Sequence, residues 1–245
     1  MSNIFYYESS TISWCEIKYT ISSNICEFMN TITGFIYVFH AYKLYNTLKI
    51  LHDKKYSFYN YNNLSKLEKN NINICVILFF VGIFTVYFHG TLSYSGQILD
   101  EYSIFLLIMA LDYGYNNILY RIIFGLVLLN IYSEYNRFKL LLYGIYHSYS
   151  LFNNYSMDTL NKRKKIFIYG LICFILSIIC WLIDIILCDQ IIISMHWLWH
   201  ILSSYALYYI SNYSILTQVD KMDSIPSSCE LYLSSLYQSL PYWFQ

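Results

Sequence analysis

The sequence predicts an all-α membrane protein, a bundle of seven transmembrane helices, and two observations lead to this prediction. First, 57% of the 245 residues are hydrophobic, only 12% are charged and the mean hydropathy is +0.40, which is too apolar for a soluble domain of this length. Second, seven apolar runs fill most of the chain, and a helix needs about 20 such residues to cross the hydrocarbon layer. None of these runs alternates with the period of a β-barrel strand, so helices are favoured.

The seven runs divide the chain without any obvious break between domains. With no internal repeat and no long linker, we expect a single domain over residues 1–245. An N-terminal segment, residues 1–24, precedes the first run, and a C-terminal tail, residues 214–245, follows the last. We place the spans at residues 25–44, 72–88, 98–113, 117–132, 138–151, 166–188 and 192–213.

The positive charges indicate which way the helices cross. Three of the fifteen basic residues, Lys18, Arg137 and Lys139, fall on one side of the predicted membrane, and the other twelve fall on the opposite side. Because cytosolic loops are enriched in Lys and Arg, we expect a lumenal N-terminus and a cytosolic C-terminal tail. The twelve are Lys43, Lys49, Lys54, Lys55, Lys66, Lys69, Arg121, Lys162, Arg163, Lys164, Lys165 and Lys221.

Charge and cysteine usage exclude several classes of function. The formal net charge is zero and no basic stripe exists, so a nucleic-acid partner is not expected. The seven cysteines are scattered singly, which argues against a zinc ribbon or a thioredoxin-like site. The N-terminus lacks a basic region followed by an apolar core, so we expect no cleavable signal peptide.

Two histidines in the last span have the spacing of a metal site. His196 and His200 are four residues apart in an apolar segment, so on a helix they share one face and can bind one zinc ion. The same spacing also arises by chance, and a lone intramembrane histidine is more often a hydrogen-bonded structural group. We interpret His40 and His147 in that structural sense.

A third histidine and a carboxylate are predicted on the same side of the membrane. His89 ends the second span and Asp100 opens the third, so both belong to the lumenal half together with His196 and His200. Three histidines leave the fourth position of a zinc ion open, and zinc lowers the pKa of water to about 7. Asp100 would then be the general base, and Thr85, four residues before His89, could stabilise an oxyanion or orient the water.

These residue types together indicate metal-assisted hydrolysis of an amide or ester whose acyl chain reaches the site through the bilayer. Two aspartates within the third and sixth predicted spans each have two possible roles. Asp112 and Asp184 could each orient a histidine N–H group or accept an interhelical hydrogen bond.

Three blocks of the sequence resemble the alkaline ceramidases, a family within a superfamily of seven-helix membrane hydrolases that also includes the adiponectin and progestin receptors. The first block is S-W-C-E-I-K-Y at residues 13–19 with C-E-F-M-N-T at residues 26–31. The second is F-H-G-T-L-S-Y-S-G-Q-I-L-D-E at residues 88–101. The third joins W-L-I-D at residues 181–184 to H-W-L-W-H at residues 196–200.

The resemblance implies hydrolysis of the N-acyl bond of ceramide, or of a phyto- or dihydroceramide, to a sphingoid base and a fatty acid. It implies a protein in the membrane of the endoplasmic reticulum or Golgi. By position, the family's zinc ligands correspond to His89, His196 and His200, its catalytic acid/base to Asp100, and its active-site serine to Thr85.

A disulfide and a calcium site are further implications of the resemblance. Cys15 and Cys188 match a family pair that can form a disulfide, and both are predicted to be lumenal. Of the family's calcium ligands, Trp14, Glu16 and Glu27 remain, whereas Ser13 stands in place of an aspartate and Lys18 in place of an asparagine. Calcium prefers six to eight oxygen ligands, so we expect a weakened or absent site in which Lys18 pairs with Glu16 or Glu27 and replaces the ion.

Two other functions remain open from the sequence. Thr85 and Lys18 are also compatible with a non-catalytic, receptor-like protein that keeps a structural zinc. Hydrolysis of another membrane lipid is the second alternative. In a chain with 29 tyrosines and 16 phenylalanines, no particular residue can be assigned to a lipid pocket from the sequence.

Overall fold

The protein is all-helical, as the sequence predicts. The structure, a computed structural model, describes residues 7–55, 61–111, 142, 144–146, 149, 161–188, 194–220 and 234–242. Over these ranges, the extended backbone pairing is limited to one isolated bridge between Ser9 and Ser93. Residues 142, 144–146, 149 and 234–238 are helical. The long helices are α1 (Phe28–Lys55), α2 (Tyr61–Thr91), α3 (Tyr94–Leu111), α4 (Asn161–Ile186) and α5 (His196–Asp220).

These helices correspond to the first, second, third, sixth and seventh predicted spans. The predicted span 117–132 lies outside the described residues, as does most of the span 138–151. α1 continues past the predicted end at residue 44 to Lys55, because backbone hydrogen bonding continues into polar residues that the hydropathy pattern excludes. At other ends the helix is shorter than the apolar run: α1 begins at Phe28 instead of residue 25, and α5 begins at His196 instead of residue 192. α3 begins at Tyr94, so Asp100 lies in its second turn and does not open the helix.

Two stretches of the described helices are long and apolar enough to cross a membrane. They are Ile72–Thr91, with a mean hydropathy of 2.2, and Lys164–Ile186, with a mean hydropathy of 2.8. Large apolar side chains also point outward from the bundle, among them Phe39 on α1, Phe80 on α2 and Ile179 on α4. An apolar outer surface of this kind is unusual for a soluble monomer and is typical of a surface in contact with lipid.

The core forms where α1 packs against α2 and α5, α2 packs against α3, and α4 packs against α5. Tyr37 and Leu44 of α1, Leu78 of α2 and Ile215 of α5 are fully buried there. α1 is therefore the central helix of the described part, and it separates α2 from α5 over most of their length.

The C-terminal region differs from the predicted tail at residues 214–245. α5 continues to Asp220, and Leu236 and Leu240 are both 3% exposed within the same core as α1 and α5. Lys165 donates a hydrogen bond to the Tyr237 hydroxyl at 3.0 Å. This packing could not be predicted from the hydropathy pattern, because a short segment can bury a few apolar side chains without forming a long apolar run.

The N-terminal segment lies across one end of the bundle. Ser10 N–H donates to the Leu92 carbonyl at 2.8 Å, and Cys26 N–H donates to the Gly90 carbonyl at 3.0 Å. A disulfide joins Cys15 to Cys188, just after the end of α4. The segment is thus attached both to the turn between α2 and α3 and to α4.

The turn between α2 and α3 depends on an unusual backbone conformation. Leu92 has a φ of 46°, a left-handed conformation that is unfavourable for a leucine. Its side chain is buried against Phe88 and Cys26, which offsets that strain by removing apolar surface from solvent. This turn brings the last turn of α2 close to the first turns of α3.

Gly82 allows α1 and α2 to approach closely, and its replacement tests this packing. A Cβ at Gly82 would lie 2.9 Å from the backbone nitrogen of Val38, so Gly82→Ala must displace backbone. We expect the substitution to lower the free energy of unfolding by about 1–3 kcal/mol, measured by thermal unfolding in detergent. Gly90→Ala is the control, because its Cβ would meet Thr31 at 3.8 Å, an ordinary contact. Equal melting temperatures for the two variants would contradict the expectation.

Candidate metal centre

Three histidines from two helices meet inside the bundle. His89 lies in the last turn of α2, and His196 and His200 lie in the first two turns of α5. One potential ligand atom from each ring lies within 4.8 Å of the others, and all three side chains are buried. The trio predicted from the sequence is therefore brought together in space.

The hydrogen bonding of these rings fits a bound metal ion. Within the described part of the chain, His89 Nε2, His196 Nδ1 and His200 Nε2 are buried and have no hydrogen-bond partner. Buried polar atoms without partners are costly and rare, and three of them converge here. A cation would satisfy all three, so this group can hold a metal ion.

Glu27 fixes the orientation of the His89 ring. Its Oε2 accepts a hydrogen bond from His89 Nδ1 at 2.6 Å and another from Asn30 Nδ2 at 3.0 Å, while its Oε1 accepts from the Trp14 backbone N–H at 3.1 Å. Glu27 and His89 are both 0% exposed. A proton on Nδ1 leaves Nε2 as the ligand atom, the arrangement by which carboxylates commonly support metal-binding histidines.

Thr33 does the same for His200. Its Oγ1 donates to the carbonyl of Met29 at 2.8 Å and lies 3.0 Å from His200 Nδ1, which can therefore donate to it. Sequence reasoning missed both Thr33 and Asn30. The signal that could have found them is a polar stripe on an apolar helix, because Glu27, Asn30 and Thr33 recur every three residues.

Asp184 positions the start of α5, and with it His196. Its Oδ1 accepts hydrogen bonds from the backbone N–H groups of Met195 at 2.6 Å and His196 at 3.1 Å, which are at the N-terminus of that helix. Its Oδ2 accepts from the Cys15 N–H at 3.1 Å. The sequence left open whether Asp184 orients a histidine ring or accepts an interhelical hydrogen bond. The observed contacts are with backbone N–H groups and not with a histidine ring. Asp112 lies outside the described residues.

Aromatic rings hold the His196 imidazole in place. Trp14 stacks on it with ring centroids 3.6 Å apart and an interplanar angle of 13°, and Trp199 stacks on it at 4.9 Å and 18°. The N-terminal segment thus supplies part of the wall of the histidine site.

Asp100 and Thr85 form a buried pair beside the histidines. The Thr85 hydroxyl donates to Asp100 Oδ1 at 2.5 Å. This contact differs from the oxyanion-stabilising role expected for Thr85. A hydroxyl that donates its hydrogen bond to Asp100 cannot donate one to an oxyanion at the same time. Asp100 Oδ2 has no hydrogen-bond partner within the described ranges.

The residues of the expected calcium site are engaged differently from the expectation. Glu16 accepts hydrogen bonds from the backbone N–H groups of Met29 at 2.6 Å and Asn30 at 2.8 Å, so it caps the N-terminus of α1. Glu27 serves His89. Lys18 is exposed, and its ammonium forms no ion pair with either carboxylate in the described part of the chain. The expected pairing of Lys18 with these glutamates is not formed.

An apolar cavity of ≈ 150 Å³ opens beside the site. Asp100 and His196 lie on its wall, and apolar residues of α3, α4 and α5 form most of the remainder. Ile104 of α3, Phe174 of α4 and Leu207 of α5 are examples. This arrangement could not be assigned from the sequence, because it depends on which faces of three helices meet.

His40 lies elsewhere in the bundle. Its Nδ1 is 3.1 Å from the Ser204 hydroxyl, and its ring contacts those of Tyr205 and Tyr208. These contacts link α1 to α5, as the structural interpretation expects. His147 lies outside the described residues.

Fold and site together define an all-helical protein with a buried three-histidine centre at the wall of an apolar cavity. The ceramidase family model matches residues 6–244, so the chain belongs to the ceramidase family. Among curated proteins, the chain is 38% identical to an alkaline ceramidase of Drosophila melanogaster over 103 residues, which is 42% of this chain and 32% of that protein.

Two further relatives carry similar names. The chain is 33% identical to alkaline ceramidase 1 of Mus musculus over 105 residues, 42% of this chain and 34% of that protein. It is 28% identical to alkaline ceramidase YPC1 of Saccharomyces cerevisiae over an alignment of 248 residues, which covers 82% of this chain and 74% of the yeast protein. The matches to the fly and mouse proteins thus span about a third of their lengths.

Glu27→Gln tests the support given to His89. The amide keeps the shape of the side chain but loses the charge that holds the proton on His89 Nδ1, so we expect the affinity of the site for a metal ion, with zinc as the probe, to fall about 10- to 100-fold. Competition with a chelator, followed by metal analysis of the purified protein, measures this change. Glu16→Gln is the matched control, since Glu16 caps α1 and contacts no histidine. A Glu27→Gln protein that binds zinc as tightly as the control would contradict the assignment.

Proposed function

We propose that this protein is a metal-dependent amidohydrolase that cleaves the N-acyl amide bond of ceramide, or of a phyto- or dihydroceramide, to a sphingoid base and a fatty acid. The observation that carries the proposal is the convergence of three partnerless imidazole nitrogens beside a buried carboxylate at an apolar cavity. Membership of the ceramidase family supports the choice of substrate.

The ion we propose for the trio is zinc. Three neutral imidazoles from His89, His196 and His200 are the donor set of many catalytic zinc sites, which keep a fourth position for water or substrate. When bound there, zinc would act as a Lewis acid and lower the pKa of water to about 7. Glu27 and Thr33 keep the Nδ1 protons on His89 and His200, so that the opposite nitrogens remain available.

Asp100 is the proposed general base and acid. Its carboxylate is on the cavity wall with His196, where it can take a proton from the attacking water and return it to the leaving amine nitrogen. Thr85 acts as a positioning residue in this scheme, because its hydroxyl holds Oδ1 and leaves Oδ2 to exchange the proton. The resulting amine is the sphingoid base, and the acyl carbon leaves as a carboxylic acid.

The apolar cavity supports a lipid substrate over a peptide. Beyond Asp100 and His196 its wall is formed mainly by aliphatic and aromatic side chains of α3, α4 and α5, which suit an alkyl chain and offer few partners for a peptide backbone. An acyl chain that lies between these helices would bring its amide carbon to the histidines.

We infer that the described helices belong to a seven-helix bundle in the membrane and that the histidine site faces the lumen of the endoplasmic reticulum or Golgi. The apolar helices α2 and α4 support the membrane location. The distribution of Lys and Arg supports the orientation, and the Cys15–Cys188 disulfide suits an oxidising compartment on that side.

Asp100→Asn tests the chemistry directly. We expect purified wild-type protein to release fatty acid from ceramide, and we expect Asp100→Asn to lower kcat about 100- to 10,000-fold while zinc remains bound, because the amide cannot transfer the proton. Liquid chromatography of the released fatty acid and metal analysis of the same samples measure the two quantities.

The same experiment separates the enzyme from a receptor-like protein. A folded, zinc-loaded wild-type protein that releases no fatty acid from ceramide would contradict the hydrolase and favour a non-catalytic role. Release from another N-acyl or O-acyl lipid, without release from ceramide, would keep the hydrolase and replace the substrate.

Calcium dependence is a separate prediction. Because Glu16 and Glu27 are already hydrogen-bonded by protein donors, we expect activity to persist after removal of calcium with a calcium-selective chelator. A zinc chelator should abolish the activity, and added zinc should restore it. Loss of activity in the calcium-selective chelator that calcium alone reverses would refute calcium independence.

A further inference from the structure

A glycine lies on the wall of the apolar cavity, away from the histidines. Gly144 belongs to the helical residues 144–146 and is buried. It is the one glycine among the described residues that line the cavity, whereas the rest of that wall carries side chains. Because glycine has no Cβ, it leaves space where another residue would fill it.

A side chain at position 144 would point toward other residues of the cavity wall. A Cβ on Gly144 would lie 3.2 Å from Cζ of Phe174 on α4 and 3.8 Å from Cδ1 of Ile108 on α3. Both of these residues line the cavity. The first distance is shorter than an ordinary van der Waals contact, so the phenyl ring must move even for an alanine. A larger side chain would therefore narrow the cavity at this level.

This level of the cavity is well separated from the proposed chemistry. Asp100 and Ile108 both lie on α3 and on the cavity wall, and the helical rise places them about 12 Å apart along the helix axis. Leu111, nearly one turn further along α3, also lines the cavity. The cavity thus continues past Gly144, and an alkyl chain that starts at the histidine site would pass this glycine on its way.

The wall of the cavity favours the acyl chain of a ceramide over its sphingoid base. An N-acyl chain is hydrocarbon from the first carbon after the carbonyl, whereas the sphingoid base carries hydroxyls at C1 and C3, close to the amide. The hydroxyls on the wall are already engaged: Tyr37 and Ser203 bond to each other, and Ser177 donates to the Phe174 carbonyl. Because a buried hydroxyl without a partner is costly, the hydrocarbon chain is the better occupant.

We propose that Gly144 is a specificity-determining residue that lets a long N-acyl chain pass between α3 and α4. This proposal rests on the proposed ceramide hydrolysis and extends it to acyl-chain length. A side chain at position 144 excludes the part of the chain beyond it and leaves shorter chains unaffected. Each methylene group that is kept out of the cavity should lower kcat/KM about fourfold.

Hydrolysis of two ceramides that differ only in their acyl chain tests the proposal. One carries a hexanoyl chain, which is too short to reach the level of Ile108, and the other carries a hexadecanoyl chain. We expect Gly144→Leu to lower kcat/KM for the hexadecanoyl ceramide at least about tenfold relative to the hexanoyl ceramide, since several methylene groups are excluded. Gly144→Ala should shift the ratio less, in the same direction. Liquid chromatography of the released sphingoid base, which both substrates share, measures the rates.

A second substitution separates a blocked cavity from a damaged fold. Phe174→Ala, added to Gly144→Leu, removes the ring that the new side chain meets and should restore hydrolysis of the hexadecanoyl ceramide. Gly82→Ala is the matched control, because Gly82 is a tightly packed glycine that is not among the residues on the cavity wall. It should lower the melting temperature and leave the ratio of the two substrates unchanged. Metal content and thermal unfolding establish that each variant is folded.

The outcomes are distinct. An unchanged ratio in folded Gly144→Leu protein, or an equal fall for both ceramides, overturns the Gly144 assignment even where the wild type hydrolyses ceramide. Where Gly144→Leu does not fold, the ratio for Gly144→Ala decides in the same way. If shortening the sphingoid base, and not the acyl chain, restores hydrolysis by Gly144→Leu, the acyl-chain assignment is overturned. If the wild type hydrolyses neither ceramide, the proposed function fails and the assignment fails with it.

Discussion

The Glu27 carboxylate accepts hydrogen bonds from the His89 ring, the Asn30 side chain and the Trp14 backbone, and it does so with no exposure to solvent. A buried carboxylate is tolerated only when its oxygens are paired, so these contacts must form together for the bundle end to fold. Asp184 makes the equivalent contacts for the start of α5 and for Cys15. The histidine site is therefore supported by two buried acids that join helix ends to the N-terminal segment.

Beside their apolar core, the described helices bury many polar side chains and expose many large apolar ones. Carboxylates, imidazoles and hydroxyls lie inside the described helices, while residues such as Phe39 and Phe80 point outward. In lipid, an inward-facing acid is stable because its partners are other protein groups and no water competes for them. The same arrangement leaves the site shielded from bulk water on most sides, which strengthens each electrostatic contact within it.

The histidines and Asp100 could be selected from the sequence because ionisable groups stand out in apolar segments, and because His196 and His200 share a helix face. The partner of Glu27 could not be selected, since a glutamate has the same appearance in a sequence whether it binds a cation or an imidazole. The pairing expected for Lys18 is absent for the same reason. Its charge predicts an ion pair with Glu16 or Glu27, but both carboxylates already accept hydrogen bonds from N–H groups. The hydropathy pattern predicted the all-helical architecture. It did not predict where each helix ends, because backbone hydrogen bonding does not stop where the apolar run stops.

The packing of residues 234–242 has a consequence for truncated versions of the protein. Leu236 and Leu240 lie in the interior next to α1 and α5. Residues 234–242 therefore complete a core whose other residues come from earlier in the chain. A truncation drawn at the end of the last hydrophobic stretch would open a hole between these helices. During synthesis, residues 234–242 must leave the ribosome before this part of the interior can close.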